Sequence, residues 1–538
     1  MTKVVACPEH YAAEAGMVLL KKGGNAVDGI VAGALAQGVT HFKICGLGGT
    51  AQMNIYMVKN KKPIFASSDS GVGSKGKPDV YEYEDKIDPS SSSVGLQVKR
   101  DEDSIGYKAI ITPDLFRVLY DAHKKLGRLP WKDCVQPALK LARDGFIVDP
   151  YIVKMGYNET SLATFHATRE MARIYLKDGK PYREGELLVQ KDAAHTLEQI
   201  AEHGADIFYK GEIAEKIGED FEEHGALVTL KDLNECKTVW YDPLQTTYKD
   251  YTFYVNKPPT GGPFKLEILK ILENFDLKKM GWNTPEYLDI VARTMNVAFA
   301  DRFLYSVDPI YDKESMDNAK MLISKDYCTK MASMIKSGKD KDYPAPNMAP
   351  YNDGTTHIIS MDDEGNCVSM KHSCGSSSGV VTPGVGIPYN NQMGGVTMFV
   401  GHKRTKDFGF GPKMKGCGGK SPTLGFKDGK LFSASGSPAG HNGYMCEVQA
   451  LLNVIEFGFR IQPAISSPRI ISGTRKGEIV LEPSFPYPYP WKNLEAMGHM
   501  IRVTPYSGRV SALTVDPLTG FVDVGADPRG GGGLAKEG

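Results

Sequence analysis

At 538 residues the chain is long enough to bury a substantial core, in one large domain or in several smaller ones. Its 64 basic and 64 acidic side chains balance, so the charge gives no reason to expect nucleic acid or an anionic membrane as a partner. No run of about 18–20 apolar residues occurs, and no membrane-spanning segment is therefore predicted.

The nine cysteines are spread along the chain without a C-x-x-C pair. This pattern argues against a disulfide framework or a structural zinc site and indicates a reducing compartment. No secretory signal is expected, because Pro8 soon interrupts the apolar start of the chain. Residues 418–421 (GGKS) resemble the end of a phosphate-binding loop, but Met414 stands where the leading glycine is needed. We therefore predict a cytoplasmic protein with no metal and no cofactor.

The first third of the chain alternates helical and extended patterns. Apolar spacing predicts a helix over residues 10–20, and residues 25–39, almost free of charge, predict a second helix that is buried on most sides. A glycine-rich turn leads into an alternating strand over residues 51–58. The polar segment 71–103, with a run of serines at 90–93, is predicted to be surface loop.

Helical patterns dominate as far as residue 305, with a strand at residues 251–255 and a last long helix at 287–305. From residue 356 strands dominate: one hairpin spans residues 356–373, a second follows at 424–434, and a helix begins near residue 443. The sequence thus predicts a mixed α+β protein whose first two thirds are mainly helical and whose last third is mainly strand.

The junction before the first hairpin has features of a catalytic centre. Gly354 precedes Thr355 where the strand begins, after the loop-forming residues 337–350 and Asn352-Asp353. Cleavage between them would make Thr355 a new N-terminus, whose α-amine, with a pKa of about 7.7–8.0, can serve as the base for its own hydroxyl. An ordinary loop-to-hairpin junction with a buried threonine explains the same residues, and these residues alone favour that interpretation.

Several short segments, in a fixed order along nearly the whole chain, resemble motifs of the γ-glutamyltranspeptidase family. The ordered set supports Thr355 as a nucleophile far more strongly than any single motif does. The matching segments are GGNAVD at 23–28, GLGG at 46–49, VQPA at 135–138, LARDGF at 141–146, FYKG at 208–211, ADR at 300–302, TTH at 355–357, NNQM at 390–393, GSPAG at 436–440 and DPR at 527–529.

The resemblance implies an N-terminal-nucleophile hydrolase, which is an α+β protein with a four-layer αββα sandwich that cuts its own chain. The fragments 1–354 and 355–538 are expected to stay together as one globular unit, and a further homo-oligomer is left open. Thr355 is expected to attack the Gly354 carbonyl during self-cleavage and a small-molecule amide afterwards, passing through an ester each time.

Three other positions take catalytic roles by resemblance. Ser373 stands where the family has a threonine that binds the amine of the nucleophile, and a serine hydroxyl keeps this donor and acceptor. Ala439 and Gly440 stand where the family has two glycines whose N–H groups form the oxyanion hole, and one such donor contributes about 3 kcal/mol to catalysis. The structural alternatives are a satisfied polar residue at a strand end for Ser373 and a plain turn after a strand for the other two.

The substrate-binding positions depart from the family pattern. By resemblance, Asp69 stands where the family binds a glutamyl carboxylate with arginine, and it would repel that carboxylate. Gly395 replaces the acid that holds the α-ammonium, and Gly418 and Gly419 replace two serines that also hold the carboxylate. Lys420 replaces an apolar residue, which makes it either a substitute carboxylate anchor or, as the sequence favours, a surface lysine.

We therefore predict an N-terminal-threonine amidohydrolase or acyltransferase that acts on a small amide with a non-glutamyl acyl group, similar to the cephalosporin acylases and the oxamate amidohydrolase of this family. One alternative is a genuine γ-glutamyl hydrolase or transferase. The other is an uncleaved, inactive relative with a binding role.

Overall fold

The computed structural model describes residues 2–86, 95–158, 162–343, 354–398, 400, 409–473, 475–505 and 508–538. The predicted serine-rich loop at 90–93, residues 344–350 of the predicted loop and Asn352-Asp353 lie outside the described residues. The strands in chain order are β1 Lys3–Ala6, β2 Thr50–Tyr56, β3 Ile64–Ser68, β4 Phe146–Ile147, β5 Leu176–Lys177, β6 Lys180–Pro181, β7 Leu187–Leu188, β8 Thr238–Tyr241, β9 Leu244–Tyr248, β10 Tyr251–Val255, β11 Thr356–Met361, β12 Cys367–Ser373, β13 Thr423–Lys427, β14 Lys430–Gly436, β15 Ile470–Ser472, β16 Glu478–Leu481, β17 Met500–Val503, β18 Ser511–Val515, β19 Val522–Ala526 and β20 Leu534–Glu537.

The α-helices, in the same order, are α1 His10–Lys21, α2 Ala26–Thr40, α3 Phe42–Cys45, α4 Leu115–Leu126, α5 Trp131–Asp144, α6 Pro150–Gly156, α7 Leu162–Phe165, α8 Arg169–Tyr175, α9 Lys191–His203, α10 Asp206–Lys210, α11 Glu212–Glu223, α12 Leu230–Glu235, α13 Gly262–Leu272, α14 Leu277–Met280, α15 Pro285–Tyr305, α16 Ser315–Leu322, α17 Lys325–Lys336, α18 Gly394–Thr397, α19 Gly440–Phe457, α20 Ile461–Ser466 and α21 Trp491–Ala496.

Two antiparallel sheets form the centre of the fold. The first has seven strands in the order β20-β1-β11-β12-β2-β3-β8, and the second has six in the order β19-β18-β14-β13-β10-β9. Between the two sheets lies a buried apolar layer to which both contribute, including Ile359 and Met361 from the first and Leu424 and Leu513 from the second. The sheets therefore pack face to face.

A helical layer covers the outer face of each sheet. Helices α1, α2 and α5 belong to the core on the first sheet, and α13, α15 and α19 belong to the core on the second. Helix α2 is buried along its whole length, and Asn25 and Asp28 form a capping box at its start, as expected for a charge-poor helix that begins after a glycine turn. The predicted α+β class and four-layer αββα sandwich are confirmed.

Strand β11 illustrates how alternation places its residues in different layers. All six residues are buried, because both faces of the sheet are covered. Ile358 approaches α2, whereas Ile359 lies in the layer between the sheets. A strand that begins at Thr356 thus directs alternate side chains toward the helices and toward the second sheet.

The segments 1–354 and 355–538 are interleaved in both sheets. In the first sheet β11 pairs with β1, and β12 pairs with β2, so that strands of the later segment lie between strands of the earlier one. In the second sheet β10 pairs with β13. Neither segment could keep its sheets without the other.

Some local expectations need correction. The segment 71–103 is not only surface loop, because Val72, Tyr81 and Val98 are buried in a small apolar cluster with Met393 and Phe410. Among the described residues no helix has both the length and the hydropathy to cross a bilayer. The nine cysteines are all buried, and no disulfide links any two of them in the described parts of the chain.

Candidate active site

A cavity of about 100 Å³ opens at the start of β11, where both segments of the chain meet. We call it the Thr355 cavity. Its lining comes from the ends of β2, β3 and β12, from the loop before β13 and from the start of α19. The lining residues are Thr50, Ala51, Gln52, Ser67, Ser70, Ile111, Asp114, Pro259, Thr260, Arg302, Gly354, Thr355, Ser373, Gly375, Asn391, Gln392, Gly395, Met398, Lys415, Gly416, Cys417, Gly418, Gly419, Lys420, Gly440 and His441.

The Thr355 hydroxyl is directed at the peptide group that precedes it. Thr355 is 8% exposed, and its Oγ1 contacts the carbonyl oxygen of Gly354. The Ser373 hydroxyl lies 3.2 Å from Thr355 Oγ1 and donates to the same Gly354 oxygen at 2.9 Å. Two hydroxyl groups thus converge on the carbonyl of the bond predicted to break.

Residue 354 has to be glycine in this arrangement. A Cβ atom at this position would collide with the carbonyl group of Gly375. The close approach of these two backbone segments brings the Gly354 carbonyl against the end of β12. A larger residue would displace the carbonyl from the two hydroxyl groups.

Ser373 is fixed from several sides at the end of β12. Its hydroxyl accepts a hydrogen bond of 2.9 Å from the backbone N–H of Gly375. Its carbonyl oxygen accepts one of 2.7 Å from Gln392 Nε2, and across the sheet it pairs with Thr50. These contacts fix the rotamer of Ser373 and direct its hydroxyl into the cavity.

Ala439 and Gly440 lie at the N-terminus of the eighteen-residue helix α19, but only Gly440 lines the cavity. Both have left-handed backbone, with φ of 79° and 54°. The first N–H groups of a helix have no intrahelical acceptor, and the helix dipole favours negative charge there. Gly419 packs directly against the Gly440 carbonyl. The start of α19 is therefore suited to stabilise an oxyanion, although Ala439 is buried behind the cavity wall.

The expectation that Asp69 faces the substrate is wrong. Asp69 does not line the cavity, and its carboxylate accepts a 3.1 Å hydrogen bond from Lys237 N and lies 3.6 Å from Lys237 Nζ and 3.9 Å from Lys413 Nζ. Just after β3 its side chain turns outward, whereas Ser67 and Ser70 on either side line the cavity. No anion at residue 69 opposes a bound carboxylate.

Gly395, Gly418 and Gly419 line the cavity where the sequence placed them. A side chain at residue 418 would meet open space, so this position leaves room for a ligand. The buried ammonium of Lys371 on β12 donates a 3.2 Å hydrogen bond to the Gly419 carbonyl and so supports this loop. Burial lowers the pKa of Lys371 to about 7.

The interpretation of Lys420 as a surface lysine is also wrong. Lys420 is half-buried, and its Nζ contacts Thr50 Oγ1 and lies 3.1 Å from Gln392 Oε1. Burial lowers the pKa of Lys420 to about 8, and the nearby Asp114 carboxylate opposes this shift. The ammonium is therefore mainly protonated at neutral pH and belongs to the cavity.

Several charged groups at the cavity had no role predicted from sequence. Asp114 accepts hydrogen bonds from Ser68 and, at 2.7 Å, from the backbone of Ala51, and burial raises its pKa. Lys415 donates to the Ser68 carbonyl. Arg302 donates through Nη2 to the Cys417 carbonyl. Lys415 lies in the glycine- and lysine-rich loop and Arg302 in a matched motif, whereas no sequence signal distinguished Asp114.

Among the residues described, one group of Asp, His and Cys side chains lies close enough together to hold a metal ion. Asp28, His123 and Cys134 lie close together away from the Thr355 cavity. The Asp28 carboxylate already accepts backbone N–H groups of Asn25 and Arg128, at 2.8 Å and 3.1 Å. These bonds cap α2 and tie it to a loop, which gives the cluster a structural role.

A threonine hydroxyl at the head of a central strand, two stacked antiparallel sheets and a helical layer on each outer face define a protein of the N-terminal-nucleophile hydrolase fold. The sequence pattern of one family covers the chain from residue 12 to residue 536. The chain belongs to the gamma-glutamyltranspeptidase family.

Its relatives include both glutathione hydrolases and acylases. The glutathione hydrolase proenzyme of Escherichia coli (strain K12) is 32% identical over 541 residues, which cover 98% of this chain and 90% of that protein. The acylase ACY 1 proenzyme of Pseudomonas sp. (strain V22) is 28% identical over 540 residues, covering 98% and 93%. The crystal structure of cephalosporin acylase from Bacillus halodurans matches with a TM-score of 0.83 at 25% identity, over 99% of this chain and 95% of that one.

Proposed function

We propose that the protein is a self-processing amidohydrolase that cleaves a small amide through an ester on Thr355, with an acyl group other than γ-glutamyl. The observation that carries this proposal is the convergence of the Thr355 and Ser373 hydroxyls on the Gly354 carbonyl at the floor of a cavity. That relatives are named proenzymes supports the self-processing part.

Self-cleavage follows from this geometry. Thr355 Oγ1 loses its proton as it attacks the Gly354 carbonyl carbon. The Gly354–Thr355 C–N bond then breaks, the Thr355 nitrogen takes up a proton and becomes an α-amine, and an ester links Gly354 to Thr355 Oγ1. The hydrogen bond from Ser373 stabilises the negative charge that develops on the Gly354 oxygen. Water then hydrolyses the ester, which leaves a carboxylate on Gly354 and a free α-amine on Thr355.

Turnover repeats the same chemistry on a substrate. The α-amine of Thr355 accepts the hydroxyl proton as Oγ1 attacks the amide carbonyl, and the departing amine takes a proton. Helix α19 begins at Gly440, which lines the cavity, and this supports the N–H groups at the start of α19 as donors to the substrate oxyanion. Water releases the acyl group in hydrolysis, and a second amine releases it in transfer.

The substrate-binding wall supports an acyl group that is not γ-glutamyl. Gly395, Gly418 and Gly419 offer no side chain to an α-carboxylate or α-ammonium. The cavity carboxylate of Asp114 is already hydrogen-bonded to Ser68 and to the backbone of Ala51. The α-ammonium of a γ-glutamyl group would thus lie beside several cations and would have no carboxylate available as its partner.

Hydrolysis or transfer of γ-glutamyl groups is the second candidate. The relative that favours it is the Escherichia coli glutathione hydrolase proenzyme, at 32% identity over nearly the whole chain. An assay with γ-glutamyl-p-nitroanilide separates the two candidates. Turnover comparable to that of the best small amide would overturn our proposal for the acyl group.

Denaturing electrophoresis with N-terminal sequencing tests the mechanism. We expect two fragments, the smaller beginning at Thr355, and a Thr355→Ala variant that stays intact and inactive. Intact wild-type chain without amide turnover would instead indicate an inactive relative with a binding role. Cleavage of Thr355→Ala at the same bond would show that Thr355 does not cut the chain.

The cytoplasmic location stays a prediction from the cysteine pattern. Cell fractionation with an antibody to the native protein tests it, and recovery in an extracellular fraction would contradict it.

A further inference from the structure

We propose that Lys420, with Lys415, binds a carboxylate on the acyl group, so that the substrate is the monoamide of a short dicarboxylic acid. This inference rests on the proposed function for the identity of the reaction. The overall reaction is hydrolysis: the amide C–N bond breaks, water adds, and a dicarboxylate and ammonia or an amine are released.

Cations outnumber carboxylates at the Thr355 cavity. Lys415, Lys420 and Arg302 line it, and Asp114 is the carboxylate among its lining residues. A second acid, Asp308, lies behind the loop and binds the backbone N–H of Lys415 at 2.7 Å. Three cations against two carboxylates leave one positive charge in excess, which favours an anionic ligand.

Arg302 adds to this excess because its charge is poorly compensated. The side chain is 3% exposed, and Nη2 donates to the Cys417 carbonyl just before Gly418. Its Nε and Nη1 atoms have no acceptor among the residues that the structure describes. A buried guanidinium with unused donors strengthens the positive field under the Gly418–Gly419 loop.

The position of Lys420 limits the length of the acyl group. Thr355 Oγ1 lies 3.2 Å from the Ser373 hydroxyl, and Ser373 pairs with Thr50 across β12 and β2. The Lys420 ammonium contacts the Thr50 hydroxyl and also Gln392, which itself binds the Ser373 carbonyl at 2.7 Å. Gln392 and Ser373 thus link the cation to the nucleophile through hydrogen-bond contacts, so a carboxylate on Lys420 lies few bonds from the scissile carbonyl.

The structural alternative for Lys420 is neutralisation of Asp114. Asp114 already accepts hydrogen bonds from a serine hydroxyl and a backbone N–H, and Lys420 Nζ makes its hydrogen-bond contacts with neutral oxygens of Thr50 and Gln392. The ammonium therefore keeps hydrogen-bonding capacity for an incoming carboxylate. A purely neutralising lysine would affect the turnover of charged and neutral amides alike.

Ammonia release from matched amides tests the proposal. Oxamate, malonamate and succinamate carry a carboxylate, and acetamide, propionamide and butyramide serve as neutral counterparts. We expect kcat/KM to be at least about tenfold higher for the best anionic amide than for its neutral counterpart, because a charge-assisted hydrogen bond contributes roughly 1.5–3 kcal/mol. Equal or better turnover of the neutral amides would overturn the anchor.

Substitutions of the lysines in this loop identify which side chain causes the preference for anionic amides. Lys420→Met is expected to lower kcat/KM for the anionic amide by about tenfold or more, with less than about threefold change for the neutral one. Lys420→Arg is expected to keep most of the preference. Lys413→Met is the matched control, because Lys413 lies in the same loop, is exposed and contacts Asp69 outside the cavity. An equal loss for both substrates in Lys420→Met would assign Lys420 a structural role instead.

Calorimetric binding of malonate and malonamide separates this inference from the proposed function. Malonate is expected to bind wild-type protein more tightly than malonamide, and about tenfold less tightly to Lys420→Met. If malonate binding depends on Lys420 but the protein turns over no amide, the carboxylate-binding role of Lys420 stands and the proposed amidohydrolase activity is overturned. If amide turnover depends on Thr355 but shows no preference for anionic amides and no effect of Lys420→Met, the amidohydrolase activity stands and the carboxylate-binding role of Lys420 is overturned.

Discussion

The hydroxyl of Ser373 is shared between the nucleophile and the carbonyl that it attacks. It lies 3.2 Å from Thr355 Oγ1 and 2.9 Å from the Gly354 oxygen. Since loss of one donor to a developing oxyanion costs a factor of about 10²–10³, Ser373→Ala is expected to slow self-cleavage by about that factor. A time course of chain cleavage after synthesis, followed by denaturing electrophoresis, measures the rate.

Ser376→Ala is the control for this prediction. Ser376 lies three residues further along, and its backbone N–H, rather than its hydroxyl, binds Asn391 at 2.9 Å. Its cleavage rate is expected to match the wild type. Wild-type cleavage in Ser373→Ala would show that the Gly354 oxygen is stabilised by other groups.

Ala439 has a backbone conformation that suits glycine. Its φ of 79° lies in the left-handed region, which costs a residue with a Cβ atom roughly 1–2 kcal/mol. Ala439→Gly removes this cost and adds about 0.5–1 kcal/mol of backbone entropy in the unfolded chain. We therefore expect the free energy of unfolding to rise by about 0.5–1 kcal/mol, measured by denaturant titration.

A glycine elsewhere in the same helix gives the opposite result. Ala450 lies in the interior of α19 and is buried. Ala450→Gly is expected to lower the free energy of unfolding by about 1 kcal/mol. A loss of stability in Ala439→Gly as large as in Ala450→Gly would mean that the left-handed conformation is not strained.

At the scale of residues, positions could be predicted from the sequence, but the directions of some side chains could not. Thr355 could be located because it begins the matched segment TTH at 355–357. Gly354 directly precedes that segment, and Ser373 ends the predicted hairpin where the family has a threonine. The directions of Asp69 and Lys420 could not be read from alignment. Asp69 is turned outward by its backbone bond to Lys237, a residue distant in sequence, and Lys420 is drawn inward by Thr50 and Gln392.

At the scale of elements, a buried carboxyl links three parts of the first sheet and its helices. Glu9, between β1 and α1, binds Gln37 on α2, and it accepts a 3.1 Å hydrogen bond from Thr356 at the start of β11. Gln37 in turn lies 2.8 Å from His372 on β12. The link holds the residue next to the nucleophile, and the sequence contained no pattern that pointed to it.

The buried Glu9 makes stability depend on pH. Burial raises the pKa of Glu9 from 4.5 to about 7, against the opposing hydrogen bonds of Gln37 and Thr356. Between these values the unfolded chain has released the proton and the folded chain keeps it, so the free energy of unfolding falls as pH rises from about 4.5 to 7. The contribution to this fall is about 3 kcal/mol. Denaturant titrations across this range are expected to show a flatter profile for Glu9→Gln than for wild type.

Glu14→Gln is the matched control, because Glu14 is an exposed residue of the same helix α1. Its pH profile is expected to follow the wild type. A profile for Glu9→Gln that has the wild-type slope would mean that the carboxyl of Glu9 is ionised throughout this range in the folded protein.

For the whole molecule, the layers could be predicted and the strand order could not. Apolar spacing predicted buried helix α2 and the hairpin of β11 and β12, but the four layers followed from resemblance to a family rather than from any local pattern. The order of the first sheet joins β20 to β1 and β1 to β11, across more than 350 residues. Such distant pairings are determined by tertiary packing, which local sequence does not show.

The interleaving of the two segments predicts how the cleaved protein unfolds. Strands β11 and β12 of the later segment occupy the middle of the first sheet, between β1 and β2 of the earlier one. Breaking one peptide bond at the cavity leaves these ladders and the buried layer between the sheets intact.

The fragments 1–354 and 355–538 are therefore expected to elute together in size-exclusion chromatography under native conditions. In a denaturant series they should separate only within the transition that also abolishes the circular-dichroism signal, since neither can keep its sheets alone. Separation at denaturant concentrations well below that transition would show that the interleaved strands do not hold the fragments together.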